Sequence, residues 1–164
     1  YETINEIISK PSERPSGKKF VQAPPFSGHI EFADVTFTYP NNDIASLKNV
    51  SFVINPGEHV AIIGRIGSGK STIEKLILGL YEPDSGQILI DGIDIKQIDP
   101  ADLRKNIGYV SQDIALFRGT LKENITFKAT HATDYAMMRA ANISTTADFV
   151  KKHPKGYDGK LEYF

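Results

Sequence analysis

The chain has 164 residues, a formal net charge of −1, 40% hydrophobic and 24% charged residues, and no cysteine. This is the length and composition of about one ordinary globular domain. It excludes a disulfide framework, thiolate chemistry and cysteine zinc sites, and it provides no net field that would draw the chain to nucleic acid. No apolar run approaches the roughly 18 residues needed to cross a bilayer, and residues 1–10 lack the apolar core of a signal peptide. A membrane role is therefore expected to come through a partner or through a segment outside this sequence.

In chain order, Ile4, Ile7 and Ile8 stand at helical spacing and predict a short amphipathic helix over 1–9. Residues 11–25 are rich in Pro, Ser, Gly and Lys and read as a linker. Ile30, Phe32, Val35, Phe37 and Tyr39 alternate with one slip, which predicts a strand carrying a bulge. Asn41-Asn42-Asp43 is turn chemistry. A second strand is expected over 50–54, stopped by Asn55-Pro56-Gly57. The continuous apolar run over 60–63 reads as a strand covered on both faces. A helix over 70–80 follows, with Ile73, Leu76, Ile77 and Leu80 on one side. Residues 83–86 read as a turn, 87–90 as a strand closed by Asp91-Gly92, 100–106 as a helix opened by Pro100, and 107–110 as a further strand. Helices are expected over 120–127, 133–141 and 145–152. This order predicts an α/β layered domain with an antiparallel portion in front.

The most informative stretch is Gly64-Arg65-Ile66-Gly67-Ser68-Gly69-Lys70-Ser71, followed by Thr72. It fits G-x-x-x-x-G-K-[ST]. Glycines let the backbone enter conformations closed to other residues, so that successive N–H groups can point inward as an anion nest. The next helix adds its free N–H groups and the positive end of its dipole. Lys70 is then placed to reach the β- and γ-phosphates, and the Ser71 hydroxyl to ligate Mg²⁺. The competing reading is a glycine-rich turn; the apolar run before the loop and the helix after it favour phosphate binding.

The neighbours of this loop carry a family resemblance. Phe37-Thr38-Tyr39-Pro40 resembles the A-loop of ABC (ATP-binding cassette) domains, in which the aromatic stacks on adenine. Residues 107–113, Ile-Gly-Tyr-Val-Ser-Gln-Asp, resemble the Q-loop strand. Residues 85–92 and 117–125 resemble the strand after the P-loop helix and the segment after the Q-loop in exporters. The resemblance is closest to bacterial exporters of the type I secretion and multidrug-like branch. It implies a P-loop NTPase core with an antiparallel β subdomain, incomplete at the C-terminus. Residues 1–27 would be a linker from a transmembrane domain and 28–164 a partial nucleotide-binding domain. It implies ATP and Mg²⁺ as ligands. Tyr39, Gly64, Arg65, Ile66, Gly67, Ser68, Gly69, Lys70, Ser71 and Thr72 would bind ATP, Ser71 and Gln112 the metal, with Lys70 and Gln112 catalytic. It implies as partners a transmembrane domain and a second nucleotide-binding domain arranged head to tail, and a place at the cytoplasmic face of the bacterial inner membrane. A small kinase or RecA-like ATPase is the alternative within the P-loop class, and Tyr39 before the loop with Gln112 after it weighs against that.

The family pattern continues past Gly156-Tyr157-Asp158 to a Leu-Ser-Gly-Gly-Gln signature, a strand ending in Asp-Glu and a switch histidine. This sequence reads Gly159-Lys160-Leu161-Glu162-Tyr163-Phe164 instead. Ile88-Leu89-Ile90-Asp91 superficially suits the Asp-Glu strand, but Gly92 follows it, so it is taken as framework. Ser85-Gly86-Gln87 is set aside as a signature for lack of the leucine and second glycine. The expectation is a chain that binds ATP and hydrolyses it poorly, with a non-catalytic nucleotide-binding module as the alternative. A second expectation is an exposed apolar neighbourhood around 60–63, leading to self-association or a marginal fold. His29, His59, His131 and His153 show no metal spacing. Asn49, Asn124 and Asn142 match the glycosylation pattern by chance, and the basic run 151–155 reads as a solvated helix end.

Overall fold

The computed structural model describes residues 9, 12–22, 25–127, 129 and 131–161. The chain divides into two compact units, Tyr1–Tyr109 and Val110–Phe164. The helix expected over 1–9 lies outside the described residues apart from Ser9.

The first unit is built on a four-stranded antiparallel sheet in the order β2-β1-β3-β4. Its strands are β1 (Ile30–Phe37), β2 (Leu47–Ile54), β3 (Ser85–Ile90) and β4 (Ile93–Asp94). In β1 Phe32 stands opposite both Phe52 and Ile88, and the Phe32 and Phe52 rings stack with centroids 4.4 Å apart. The slip in the alternation of β1 is a bulge. Register shifts between Phe32 and Val35 on one side and between Ala33 and Thr36 on the other, and Asp34 takes a left-handed φ of 49°. The extra residue turns Val35 back toward the interior, so Phe32, Val35 and Phe37 are all buried. Ser51 holds the bulge, accepting from Asp34 N at 2.9 Å and donating to Asp34 Oδ1 at 3.0 Å. Gly86 faces it. A Cβ there would fall 2.4 Å from Asp34 O, and its own φ is +81°. This is why Ser85 and Gly86, expected in a turn, belong to β3: the glycine is needed for close backbone approach within the ladder.

Asp91-Gly92 joins β3 to β4 with φ of 50° and 79°, the two left-handed residues of a type I′ hairpin. The Asp91 carboxylate accepts from Ser27 N at 2.6 Å, from the Ser27 hydroxyl, and from His29 N at 2.9 Å. It is a structural clasp for the chain entering β1.

Among the described residues the α-helices of this unit are α1 (Lys70–Ile77) and α2 (Pro100–Lys105). Ile73 and Leu76 of α1 join Phe32, Val35, Phe37, Leu47, Ile88 and Leu103 in one apolar core. α1 ends three residues earlier than its apolar stripe predicts, because Gly79 (φ 62°) turns the chain left-handed. The bonds Gly79 N to Leu76 O (2.9 Å) and Leu80 N to Lys75 O (3.0 Å) are those of a Schellman cap. Arg104 of α2 reinforces this end. It donates from Nε to Leu78 O and from Nη2 to Gly79 O, while its guanidinium pairs bidentately with Glu13 at 2.8 and 3.0 Å. Arg14 forms an ion pair with Asp99, and Val21 N donates to Gln97 O at 2.8 Å. The Pro- and Ser-rich stretch is thus pinned against the second half of the unit at residues 13, 14 and 21.

Residues 60–63 and 107–110, both expected as strands, are not strands in the structure. Among the described residues no segment pairs with either, and a strand is defined by its ladder. Val60, Ile62, Ile63 and Val110 are consequently exposed, Ile63 at 92%. β2 starts three residues earlier than expected, at Leu47, because Leu47 pairs with Phe37 across the sheet.

In the second unit, β5 (Gly119–Thr120) pairs antiparallel with β6 (Lys160–Leu161). α3 (Leu121–Thr126), α4 (Asp134–Ile143) and α5 (Thr146–Lys152) follow β5. Thr120 and Glu123 form a reciprocal capping box on α3, and Thr133 caps α4 through Ala136 N. Leu121, Met137, Ala141, Ala147 and Val150 are buried here.

Two outcomes are expected. Leu76→Ala, at a fully buried position, lowers the unfolding free energy by about 2–5 kcal/mol, whereas Ile63→Ala at its exposed position changes it by less than about 0.5 kcal/mol. Urea titrations of both variants check the contrast. The second concerns acid. The Ser27 hydroxyl, with the N–H groups of His29, Ser27 and Gly28, holds the Asp91 carboxyl below the ordinary aspartate value. The Arg14 guanidinium does the same for Asp99. A carboxyl whose folded value is depressed contributes stability that is complete above its unfolded value near about 3.9 and is lost as pH falls through the folded value. The melting temperature should therefore fall as pH is lowered from about 5 to 3, and Asp91→Asn should flatten that fall in a melting series.

Candidate phosphate-binding site

The loop over 64–71 owes its shape to three glycines. Gly67 (φ 82°) and Gly69 (φ 86°) are left-handed, a region costly to residues with a Cβ. A Cβ on Gly64 would fall 2.5 Å from Ser68 Oγ, and one on Gly69 would fall 2.6 Å from Leu47 Cδ2 and 2.7 Å from Ser46 O. The loop therefore doubles back on itself, and its last glycine wedges against the start of β2. Gly69 is also the N-cap of α1, accepting from Thr72 N and Ile73 N at 3.0 and 3.1 Å. No acidic residue stands in the first turn of α1, so nothing there repels an anion from the positive helix end.

Lys70 reaches back across the loop. Its ammonium donates to Gly64 O and Arg65 O, each at 2.8 Å, with Ser68 Oγ at 3.5 Å. A positive charge thus sits at the mouth of the loop, held by neutral carbonyls rather than by a carboxylate. Tyr39, Ser46, Gly67, Ser68, Gly69, Lys70, Ser71 and Thr72 line one depression of about 210 Å³. The Tyr39 hydroxyl and Thr72 Oγ1 are 3.1 Å apart, which ties the aromatic to the first turn of α1. Thr72 is buried, while Ser71 is exposed with its hydroxyl available.

Of the residues singled out from sequence, Tyr39 and Gly67 through Thr72 line this depression; Gly64 and Arg65 do not line it, but their carbonyls hold Lys70. Ile66 does not line it and is fully exposed at the tip. Gln112 belongs to the second unit, in an exposed stretch without regular structure. Sequence reasoning missed Ser46. It lies in a loop without motif character and reaches the site because Ser46 N donates to Phe37 O at 2.8 Å, which leads the chain into β2 beside Gly69. Asp91, whose four-residue context mimics a catalytic strand, sits in the β3–β4 hairpin turn instead.

The cradle fits a polyphosphate. Left-handed glycines open the backbone, a lysine stands at the centre, and an exposed serine hydroxyl follows at the helix start. For a divalent metal the fit is narrower. Among the described residues no cluster of His, Asp or Glu could hold one, so Ser71 would supply one oxygen and phosphate and water the others.

A glycine loop running into a helix, with a lysine folded back over the loop, defines a P-loop nucleotide-binding protein. The family model described as ABC transporter matches residues 47–159, and the chain belongs to that family. It is 40% identical over 98% of its length to YfiC, an ABC transporter ATP-binding protein of Bacillus subtilis, covering 26% of that protein. It is 37% identical over 96% of its length to the ATP-dependent lipid A-core flippase of Escherichia coli K12, covering 27% of it. A bacterial Atm1-family ABC exporter solved with ATP bound superposes with a TM-score of 0.88 at 33% identity, over 98% of this chain and 28% of that one. The chain thus spans about a quarter of the length of these relatives.

Gly69→Ala is expected to cost about 1–3 kcal/mol of stability, from left-handed strain plus the contacts with Leu47 and Ser46. Gly57→Ala, also left-handed but with nothing within 4 Å of its Cβ, should cost about 1–2 kcal/mol, from conformation alone. Denaturant unfolding of the pair separates the wedge from the backbone term.

Proposed function

We propose that this chain is the ATP-binding part of an exporter-type ABC ATPase, holding the phosphates of Mg-ATP in the 64–71 loop and the adenine on Tyr39. The observation that carries this reading is the Lys70 ammonium, held between Gly64 O and Arg65 O in the depression that Tyr39 also lines. Lys70 would exchange two neutral carbonyls for phosphate oxygens, adding the attraction of opposite charges to hydrogen bonds in which its ammonium is already an ionised donor. The backbone of 67–69 and the start of α1 would orient the anion, and the Ser71 hydroxyl would point at the metal. Mg²⁺, when bound, neutralises charge on the β- and γ-phosphates. Gln112 would add a neutral amide oxygen.

The same lining explains why binding without efficient hydrolysis is the proposed property of this chain. Among the described residues it includes no carboxylate to orient or deprotonate an attacking water. One of the reported relatives is named an ABC exporter and another an ATP-dependent flippase, which supports coupling of ATP use to export across a membrane. Under that reading the partners are a transmembrane domain and a second nucleotide-binding domain, at the cytoplasmic face of the membrane.

Calorimetry with Mg-ATP on the chain and on Lys70→Ala, with phosphate release followed in parallel, tests this. Binding is expected in the unmodified chain and roughly ten- to a hundredfold weaker in the variant, the loss of a charged hydrogen-bonding group, with negligible release from either. Equal affinity in the two would overturn the loop's role. Phosphate release at a rate typical of enzymes, abolished in Lys70→Ala, would overturn the non-hydrolysing reading.

A further inference from the structure

Tyr39 is held by more of the molecule than a stacking platform at a site mouth requires. Its hydroxyl pairs with Thr72 Oγ1 at 3.1 Å. Its ring meets Phe37 nearly edge-on at 4.9 Å and Tyr81 nearly edge-on at 5.2 Å. The ammonium of Lys75 lies 5.2 Å from its centroid, within the range of a cation–π contact. Thr72 and Lys75 are three residues apart on α1 and so share one side of the helix. Tyr39 lines the phosphate-loop depression and Lys75 does not. Among the described residues Lys75 forms no ion pair, so the aromatic face is the contact the structure gives its charge.

We infer that Lys75 is a positioning residue for base binding: with Thr72 it clamps the Tyr39 ring to the phosphate helix, so that base and triphosphate are held by one rigid element. This rests on the reading that the loop and Tyr39 bind ATP. The chemistry distinguishes two parts of the ligand. Lys70 and the loop meet the phosphates, whereas Lys75 acts through an aromatic ring that only a base would contact. Losing Lys75 should therefore weaken a nucleotide more than a base-free polyphosphate. A charge acting merely through space would weaken both alike, and would be largely screened at about 0.15 M salt over more than about 8 Å.

The test is calorimetry at that ionic strength with Mg-ATP and with magnesium tripolyphosphate, on the full chain, Lys75→Met, Lys75→Arg and the Tyr39→Ala background. Lys75→Met is expected to weaken ATP binding about two- to fivefold and to leave tripolyphosphate unchanged. Lys75→Arg, which keeps the cation over the ring, should restore ATP affinity. In the Tyr39→Ala background Lys75→Met should have no further effect. Equal losses for ATP and tripolyphosphate, or an undiminished Lys75→Met effect without the Tyr39 ring, would overturn the inference while leaving the loop's function standing. Binding of neither ligand by the unmodified chain would overturn both.

Discussion

Gly69 sits where three demands meet. It must be left-handed to turn the loop into α1, it must cap that helix with its carbonyl, and it must lie flat against Leu47 and Ser46 at the start of β2. A side chain would strain the first of these and block the third, because its Cβ would occupy space already held by Leu47 Cδ2 and Ser46 O. The contact locks the phosphate loop to the antiparallel sheet. Lys70, the next residue, can then fold back to Gly64 O and Arg65 O, and Thr72, two further on, can meet the Tyr39 hydroxyl. The core beneath supports this through Ile73 and Leu76, which pack with Phe37 and Leu47. Loop geometry and core packing are thus one arrangement, and a change at either end of α1 is felt at the site.

The far end of α1 is held as firmly as the near end. Gly79 ends the helix in a Schellman cap, and Arg104 supplies the favourable cation at the C-terminal carbonyls while pairing with Glu13. Asp99 serves both as the N-cap of α2 and as the partner of Arg14. A stretch whose composition signals a flexible connection is in this way bound to the helix that carries the phosphate loop. Exposed ion pairs contribute little individually, but Arg104 is partly buried and its guanidinium also bonds the carbonyls of Leu78 and Gly79.

Much of the fold and most of the candidate site were legible in the residues. The G-x-x-x-x-G-K-S spacing located the loop because its chemistry is local: glycine conformation, a lysine of sufficient reach and a following helix all lie within about ten residues. The strand end at Asp91-Gly92, the bulge in β1 and the Pro100 helix start were readable for the same reason. The strands expected over 60–63 and 107–110 were not realised, since an apolar run declares that it wants covering but does not say what will cover it. The end of α1 was placed too late because the apolar stripe ran on through Leu80, while a single glycine decided otherwise.

By itself the sequence determined the chemical class: a glycine loop with its lysine, an aromatic upstream, and the family to which those motifs belong. These are matters of residue identity at short spacing, and backbone stereochemistry leaves them few alternatives. Only the tertiary structure decided that Ser46 lines the site, that Tyr39 is anchored to Thr72 and faced by Lys75, and that Arg104 joins the end of α1 to Glu13. The Tyr39–Thr72, Tyr39–Lys75 and Glu13–Arg104 meetings join residues 33, 36 and 91 positions apart. Such meetings are set by the strand register, the β1 bulge and the packing of α1 on the sheet, and no local pattern encodes them.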